Sequence, residues 1–299
     1  MRNTINQIVE TEFKGKKLRD YLKFDLKLSS RMIKNLTKNN LVYINRKASR
    51  MDYILKGGER LTINLDKEES QNIKPVKMDL TVVFEDDSLI VLDKPPFMVV
   101  HPTKSHQEDT LANGLLYYFN EHKDNSIVRF VSRLDMNTSG LIIVAKNQFT
   151  HSYFARLKDE DKIIKEYIAI TEGEYGVSSG TINLPISKEA LENFRREVRD
   201  DGQIAITHFN VLELLDGYSV VKFRLETGRT HQIRVHSSSI GHPLVNDGLY
   251  GGKSLGTALD RQFLHASYLK FIHPMTGNIL ELHSDIPIDM KEFILSKRK

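Results

Sequence analysis

The run Val131-Ser132-Arg133-Leu134-Asp135-Met136-Asn137-Thr138-Ser139-Gly140-Leu141 constrains this chain more than any other stretch. Arg133 and Asp135 stand two apart, ahead of the turn-forming Asn137-Thr138-Ser139-Gly140. An apolar segment, Leu141 to Ala145, follows and reads as a strand. Such a segment holds one carboxylate at a sharp corner between strands, with a cation beside it. Taken alone, an Asp in a turn of this kind is most often structural, closing the turn through an Asx hydrogen bond. Whether it does more depends on the rest of the chain.

The surrounding pattern is strand-rich from Leu80 onward. Leu80–Phe84 and Leu89–Leu92 flank Glu85-Asp86-Asp87-Ser88, a hairpin signature. Asp93-Lys94-Pro95-Pro96 must turn, because two prolines cannot continue a ladder. Helices are expected over Asp109–His122, with Leu111, Leu115, Leu116 and Phe119 on one face, and over Thr150–Leu157. Further strands are expected at Tyr167–Ile170, Ala205–Leu215, Val220–Leu225 and Tyr268–Ile272. Strands and helices follow one another without βαβ alternation, so the expected class is α+β. No internal repeat and no low-complexity segment interrupts the pattern.

Charge divides the chain in two. Residues 1–65 carry 15 Lys and Arg against 6 Asp and Glu, a net of +9, whereas residues 66–299 carry 28 against 33, a net of −5. A basic charge concentrated in a short piece is the electrostatic footprint of a nucleic-acid partner or another polyanion. The bland alternative is a solvated lysine-rich face. Residues 1–65 are accordingly expected as a basic domain, 66–78 as a polar linker and 79–299 as a second, larger domain. Within the first, Lys16–Phe24 has helical apolar spacing, and Ser29 and Ser30 offer an N-cap to a helix over Arg31–Asn39. Short strands at Leu41–Ile44 and Arg60–Leu65 follow. Arg31, Lys34 and Lys38 recur at three- and four-residue spacing, so one helical face can carry all three.

Composition excludes several chemistries. The absence of cysteine rules out disulfides, thiolate catalysis and Cys-based zinc or iron–sulfur sites. His231, His236 and His242 are five and six residues apart, which does not gather them on one helical face, so no metal is expected. No apolar run approaches the roughly 18–20 residues of a membrane span, and the N-terminus lacks a signal-peptide core. A cytoplasmic protein with no membrane partner is expected.

Several segments in order resemble the RluA/RluD branch of RNA pseudouridine synthases. Arg133-Leu134-Asp135 with Thr138-Ser139-Gly140-Leu141 resembles its catalytic motif, usually written His-Arg-Leu-Asp-x-x-Thr-Ser-Gly-Leu. Leu92-Asp93-Lys94-Pro95 with Val99-Val100-His101-Pro102 resembles the entry strand and loop, and Lys165-Glu166-Tyr167 the Lys-x-Tyr motif. Thr227-Gly228-Arg229-Thr230-His231-Gln232-Ile233-Arg234-Val235-His236 is the longest match, and Leu264-His265-Ala266 through His273-Pro274 a fainter one. The likeness covers essentially all of residues 80–285. Residues 1–65 resemble the small RNA-binding domain named after ribosomal protein S-four. That domain often has Gly where Asn40 and Arg46 stand here, and the catalytic motif usually has His at Ser132.

The resemblance implies a mixed, mainly antiparallel sheet in the catalytic domain, and an isomerase that converts uridine to pseudouridine in folded RNA. Asp135 is then the catalytic carboxylate, Tyr167 stacks under the target base and takes part in removing its proton, and Arg229 is the cation paired with Asp135. Arg133 matches the arginine that fills the space of the flipped nucleotide, and His231 a framework and backbone-contact position. Arg31, Lys34 and Lys38 would grip RNA phosphates, which positions RNA without reading its sequence. Breaking and re-forming the bond from ribose to base needs no redox change, so neither cofactor nor metal is expected. Burial raises the pKa of a carboxylate and a nearby cation lowers it, which explains why the chemistry wants an Asp–Arg pair. Whether Asp135 adds to the sugar, adds to the base or removes a ribose proton stays open. Ribosomal RNA is the expected substrate, with transfer RNA as the alternative, and the protein is expected to act as a monomer. The rivals are a non-catalytic RNA-binding or ribosome-assembly protein on the same fold, and a glycoside hydrolase, which needs two carboxylates in paired roles.

Overall fold

The computed structural model describes residues 4–65, 71–159, 163–189, 194–256 and 261–298. Four antiparallel strands, β1 (Thr4–Ile8), β2 (Val42–Ile44), β3 (Lys47–Ala48) and β4 (Arg60–Asn64), form a small sheet in the order β1-β4-β2-β3. Two helical segments cover it. α1 (Leu18–Asp20) widens at once into a π-helical turn, Tyr21–Asp25, and α2 is Ser30–Lys38. Leu18, Leu22, Met32, Ile33 and Leu36 bury their side chains with Leu61 and Ile63 of β4. The Ser29 hydroxyl accepts the Met32 N–H at 3.2 Å, closing the N-terminus of α2 as its position suggests. Asn40 and the pair Asn45-Arg46 take positive φ, which is why glycine suits those turns in similar domains. Pairing β1 onto β4 was not foreseen, since its sequence shows no clean alternation.

The remaining strands build one mixed sheet. They are β5 (Thr81–Glu85), β6 (Leu89–Lys94), β7 (Arg129–Phe130), β8 (Ser139–Ala145), β9 (Ile164–Glu172), β10 (Ser179–Asn183), β11 (Ile206–Leu215), β12 (Tyr218–Leu225), β13 (Leu264–Ile272) and β14 (Ile279–His283). Their order is β10-β11-β12-β9-β13-β8-β6-β5, with β14 on β13 and β7 on β8. All described pairings are antiparallel except β8 with β13. The helices are α3 (Leu111–Glu121), α4 (Gln148–Asp159), α5 (Gln232–Ser239) and α6 (Ile288–Lys297). This is the expected α+β class.

Strand periodicity explains the layering. Ile90, Leu92, Ile142 and Val144 face Leu111, Leu115 and Phe119 of α3. Their neighbours Leu89, Val91, Leu141 and Ile143 face Phe154 and Leu157 of α4. A strand covered on both faces must be apolar at every position, and every residue of β8 is buried. At the end of β8 that carries the Asn-Thr-Ser-Gly corner, Gly140 sits at φ +108°, and an added Cβ would lie 2.3 Å from the Ala266 carbonyl oxygen. Only glycine lets β13 approach there. Residues 71–78 have no regular structure, yet they are tied down. The Gln71 side chain bonds both the N–H and the carbonyl of Val128, and Val76 donates to the Asn113 carbonyl.

Candidate active site

The corner ahead of β8 is held from below by cations. Thr138 donates its N–H to the Asp135 carbonyl, closing the turn. Lys94, at the end of β6, is fully buried, and its Nζ donates to the carbonyls of Pro95, Met98 and Met136 at 2.8, 3.0 and 2.9 Å. One ammonium thereby ties the turn after β6 to the residue that follows Asp135. Burial lowers the Lys94 pKa to about 7, against the pull of the Asp135 charge. Arg261 binds Asp289 of α6 at 2.7 and 3.0 Å and also donates to the Asn137 carbonyl. Gln262 reaches the Thr138 hydroxyl.

The cation beside Asp135 is Arg234. Its Nη1 lies 3.1 Å from Asp135 Oδ2. Its other edge is clamped by Asp247, with Nε and Nη2 donating at 2.7 and 2.8 Å, while the Tyr250 ring lies 4.9 Å from the guanidinium carbon. Burial opposes this cation, but the Asp247 and Asp135 carboxylates together more than offset it, and the pKa is raised. The expectation that Arg229 holds this place is therefore corrected. Arg229 precedes α5, in a turn fixed by Gln232, whose side-chain oxygen accepts the Arg229 N–H and the Thr227 hydroxyl. From there Arg229 directs Nε to the Ile204 carbonyl. Arg234, in the first turn of α5, is carried on its buried face. The ten-residue string contained both arginines. Only the helix start, with His231 at φ 58°, decides which one turns inward.

His231 stands on the same side. Its Nε2 is 3.7 Å from Asp135 Oδ2, and its Nδ1 is 2.8 Å from the Tyr250 hydroxyl. That hydroxyl accepts the Arg196 N–H and so can donate to Nδ1, which leaves the imidazole proton on Nε2, facing Asp135. Burial lowers the His231 pKa, so the ring is neutral near neutral pH. Tyr167 lies half-buried on β9 between two apolar clusters. Desolvation, and then the Asp135 charge, push its phenol well above the ordinary range.

These groups share one cavity of about 560 Å³, lined by Arg133, Asp135, Tyr167, Arg229 and His231 among others. Arg133 is exposed at its wall, as is Ser132 in part. Glu226 also lines the cavity and is paired with His208, while Glu166 faces Lys222 at 3.4 Å. Arg31, Lys34 and Lys38 lie elsewhere, all exposed on α2, opposite its buried Met32, Ile33 and Leu36. His236 and His242 serve the framework. His236 bonds Thr207 and the Leu184 carbonyl, and His242 bonds the Glu172 carbonyl and stacks on Tyr175. Among the described residues no three His, Cys, Asp or Glu side chains are grouped to hold a metal ion. No helix among them is long and apolar enough to cross a membrane. Asp247, Tyr250, Arg261 and Asp289 were not singled out in the sequence. Nothing in their immediate neighbours marks them, and only a partner across the fold gives each its purpose.

The chain is similar to known proteins over most of its length. Residues 88–239 match the family described as RNA pseudouridylate synthase. The Bacillus subtilis RNA pseudouridine synthase YhcT is 37% identical over 93% of this chain and 92% of its own. The ribosomal large subunit pseudouridine synthase D of Buchnera aphidicola is 35% identical over 96% of both. Among solved structures, human RNA pseudouridylate synthase domain containing 1 superposes with a TM-score of 0.56 at 29% identity, covering 71% of this chain and 86% of that one.

Proposed function

Because the chain belongs to the RNA pseudouridine synthase family, we propose that its cavity isomerises uridines of large-subunit ribosomal RNA, with Asp135 as the catalytic carboxylate. The observation that carries this reading is Asp135 on the cavity wall with Tyr167, backed by the buried Arg234 at 3.1 Å. The reaction breaks the bond from ribose C1′ to N1 of the base, rotates the base and joins C1′ to C5. The C5 proton leaves, N1 gains one, and no atom is lost. Each route open to the carboxylate needs it charged, and Arg234, locked by Asp247, sets a cation 3.1 Å from it. Tyr167 supplies an aromatic face for the base, a contact worth about 1–3 kcal/mol in such sites. Its raised pKa keeps the phenol protonated at neutral pH, so it stacks without adding a charge to the cavity.

A uridine stacked in RNA cannot present its glycosidic bond to this wall, so the nucleotide must be flipped out at a cost of a few kcal/mol. Arg133, which lines the cavity, in this reading occupies the vacated space as a planar cation, and Arg229, which also lines it, meets the RNA backbone. In this reading residues 1–65 form an RNA-binding domain in which Arg31, Lys34 and Lys38 hold phosphates, offsetting part of the flipping cost. Ribosomal RNA is favoured over transfer RNA by the relatives named for the large subunit. The enzyme acts as a monomer in the cytoplasm, where that RNA is assembled.

The deciding experiment maps pseudouridine in total RNA of a strain lacking the protein, complemented with wild type or with Asp135→Asn. Sites in ribosomal RNA should disappear and return only with wild type, the variant losing at least about a thousandfold in rate. Restoration by Asp135→Asn would remove Asp135 from the chemistry. Loss of sites in transfer RNA alone would move the substrate there.

A further inference from the structure

The turn after β6 contains a feature that the reaction as described leaves unused. Phe97 takes φ 61°, a conformation that a bulky side chain rarely adopts and that glycine adopts freely. The strain is not repaid by packing. The side chain is 45% exposed, and among the described residues its ring joins no apolar cluster and no other ring. Its neighbour Met98 instead packs into the cluster under α3. The turn is also rigidly placed. Lys94 holds the carbonyls on both sides of Phe97, those of Pro95 and Met98, and the Met98 N–H donates to the carbonyl of Met136, the residue after Asp135. Two residues beyond Phe97, at Val99, the cavity lining begins.

A strained, solvent-facing aromatic, clamped to the catalytic corner, has a use in a reaction that unstacks RNA. When a uridine leaves the stack, the adjoining base loses a neighbour, and an aromatic face already fixed in place can replace it at little entropic cost. We propose that Phe97 is a stacking platform for the nucleobase adjoining the target uridine. It thereby helps to choose which uridines are flipped, because the adjoining base must reach the ring. This rests on the RNA-modifying reading of the cavity.

The chain has no tryptophan, so Phe97→Trp would place a single emitter at the proposed contact. On titration with an unmodified large-subunit ribosomal RNA transcript, its emission should be quenched as the complex saturates. Phe97→Gly should keep or raise the thermal midpoint, since it relieves the positive φ, yet raise KM for that RNA by about fivefold or more. Phe97→Tyr should restore KM. Unchanged emission at saturating RNA, or a wild-type KM in Phe97→Gly, would overturn the proposal. So would a lowered thermal midpoint in Phe97→Gly, which would make the ring a packing residue. Quenching that requires added ribosomal protein would assign the ring to a protein partner instead. If the wild-type enzyme modifies no uridine, the reading of the cavity fails, and the Phe97→Trp emission reports separately whether RNA is bound at this turn.

Discussion

A carboxylate working inside a protein cavity needs a cation that cannot drift away, and the two arginines of the longest motif differ in this respect. Arg234 is fixed by Asp247, which is 1% exposed, so Arg234→Ala would leave that carboxylate buried without a partner. A loss of about 3–5 kcal/mol in unfolding free energy is expected, together with more than about a hundredfold in turnover. Arg229→Ala should leave stability within roughly 0.5 kcal/mol and act mainly on KM for RNA. Denaturant unfolding and single-turnover kinetics on the two variants would show whether the roles are divided in this way. Lys94 offers a second test. The unfolded chain, with lysine near its ordinary 10.5, keeps this proton where the folded protein, at about 7, has released it. Stability should therefore rise with pH from about 7 towards 10.5. Turnover should do the opposite, because an ammonium has three N–H donors for three loop carbonyls and an amine has two. Thermal midpoint and turnover at saturating RNA, measured across pH 6–9, should diverge. Turnover that stays flat would mean that the amine holds the loop as well as the ammonium does.

The elements most visible in the sequence were those with strong periodicity. β6, β8, β11 and β12, together with α3 and α4, lie within a few residues of their expected places. α3 starts later than expected because Thr110 caps it, its backbone and side chain both meeting Asn113. α5, α6, β10 and β14 were not foreseen. α5 is buried on nearly all sides in its own short length and so shows no amphipathic stripe, while β14 has alternating exposure on an edge of β13. The parallel pairing of β8 with β13 depends on one glycine. Gly140→Ala should cost roughly 3 kcal/mol or more, from the positive φ and the meeting with the Ala266 backbone. It should also abolish activity, since the corner bearing Asp135 begins there; an active, stable variant in calorimetry and RNA assays would show that β13 can retreat.

Across the whole molecule, the charge asymmetry and the catalytic cavity sit on different sheets, and each makes its own prediction. Replacing Arg31, Lys34 and Lys38 by Ala in the full chain should weaken RNA binding and flatten the plot of log affinity against log salt by about 2–3 units, one for each phosphate released. Turnover at saturating RNA should change little, because none of the three lines the cavity. An unchanged salt slope would place the phosphate contacts elsewhere. The family and the α+β class could be read from residue types in order, because corners between strands and the apolar runs of the strands themselves make demands on neighbouring residues. Local patterns carry such demands, since backbone turns and strand alternation depend on near neighbours. The pairing of charges could not be read in the same way. Arg229 and Arg234 are alike as letters, and Asp247, Arg261 and Asp289 lie far along the chain from the loop they support. An ion pair is chosen by which side chains the fold brings within about 4 Å with their remaining hydrogen bonds satisfied, and that condition exists only once the strands and α5 have packed.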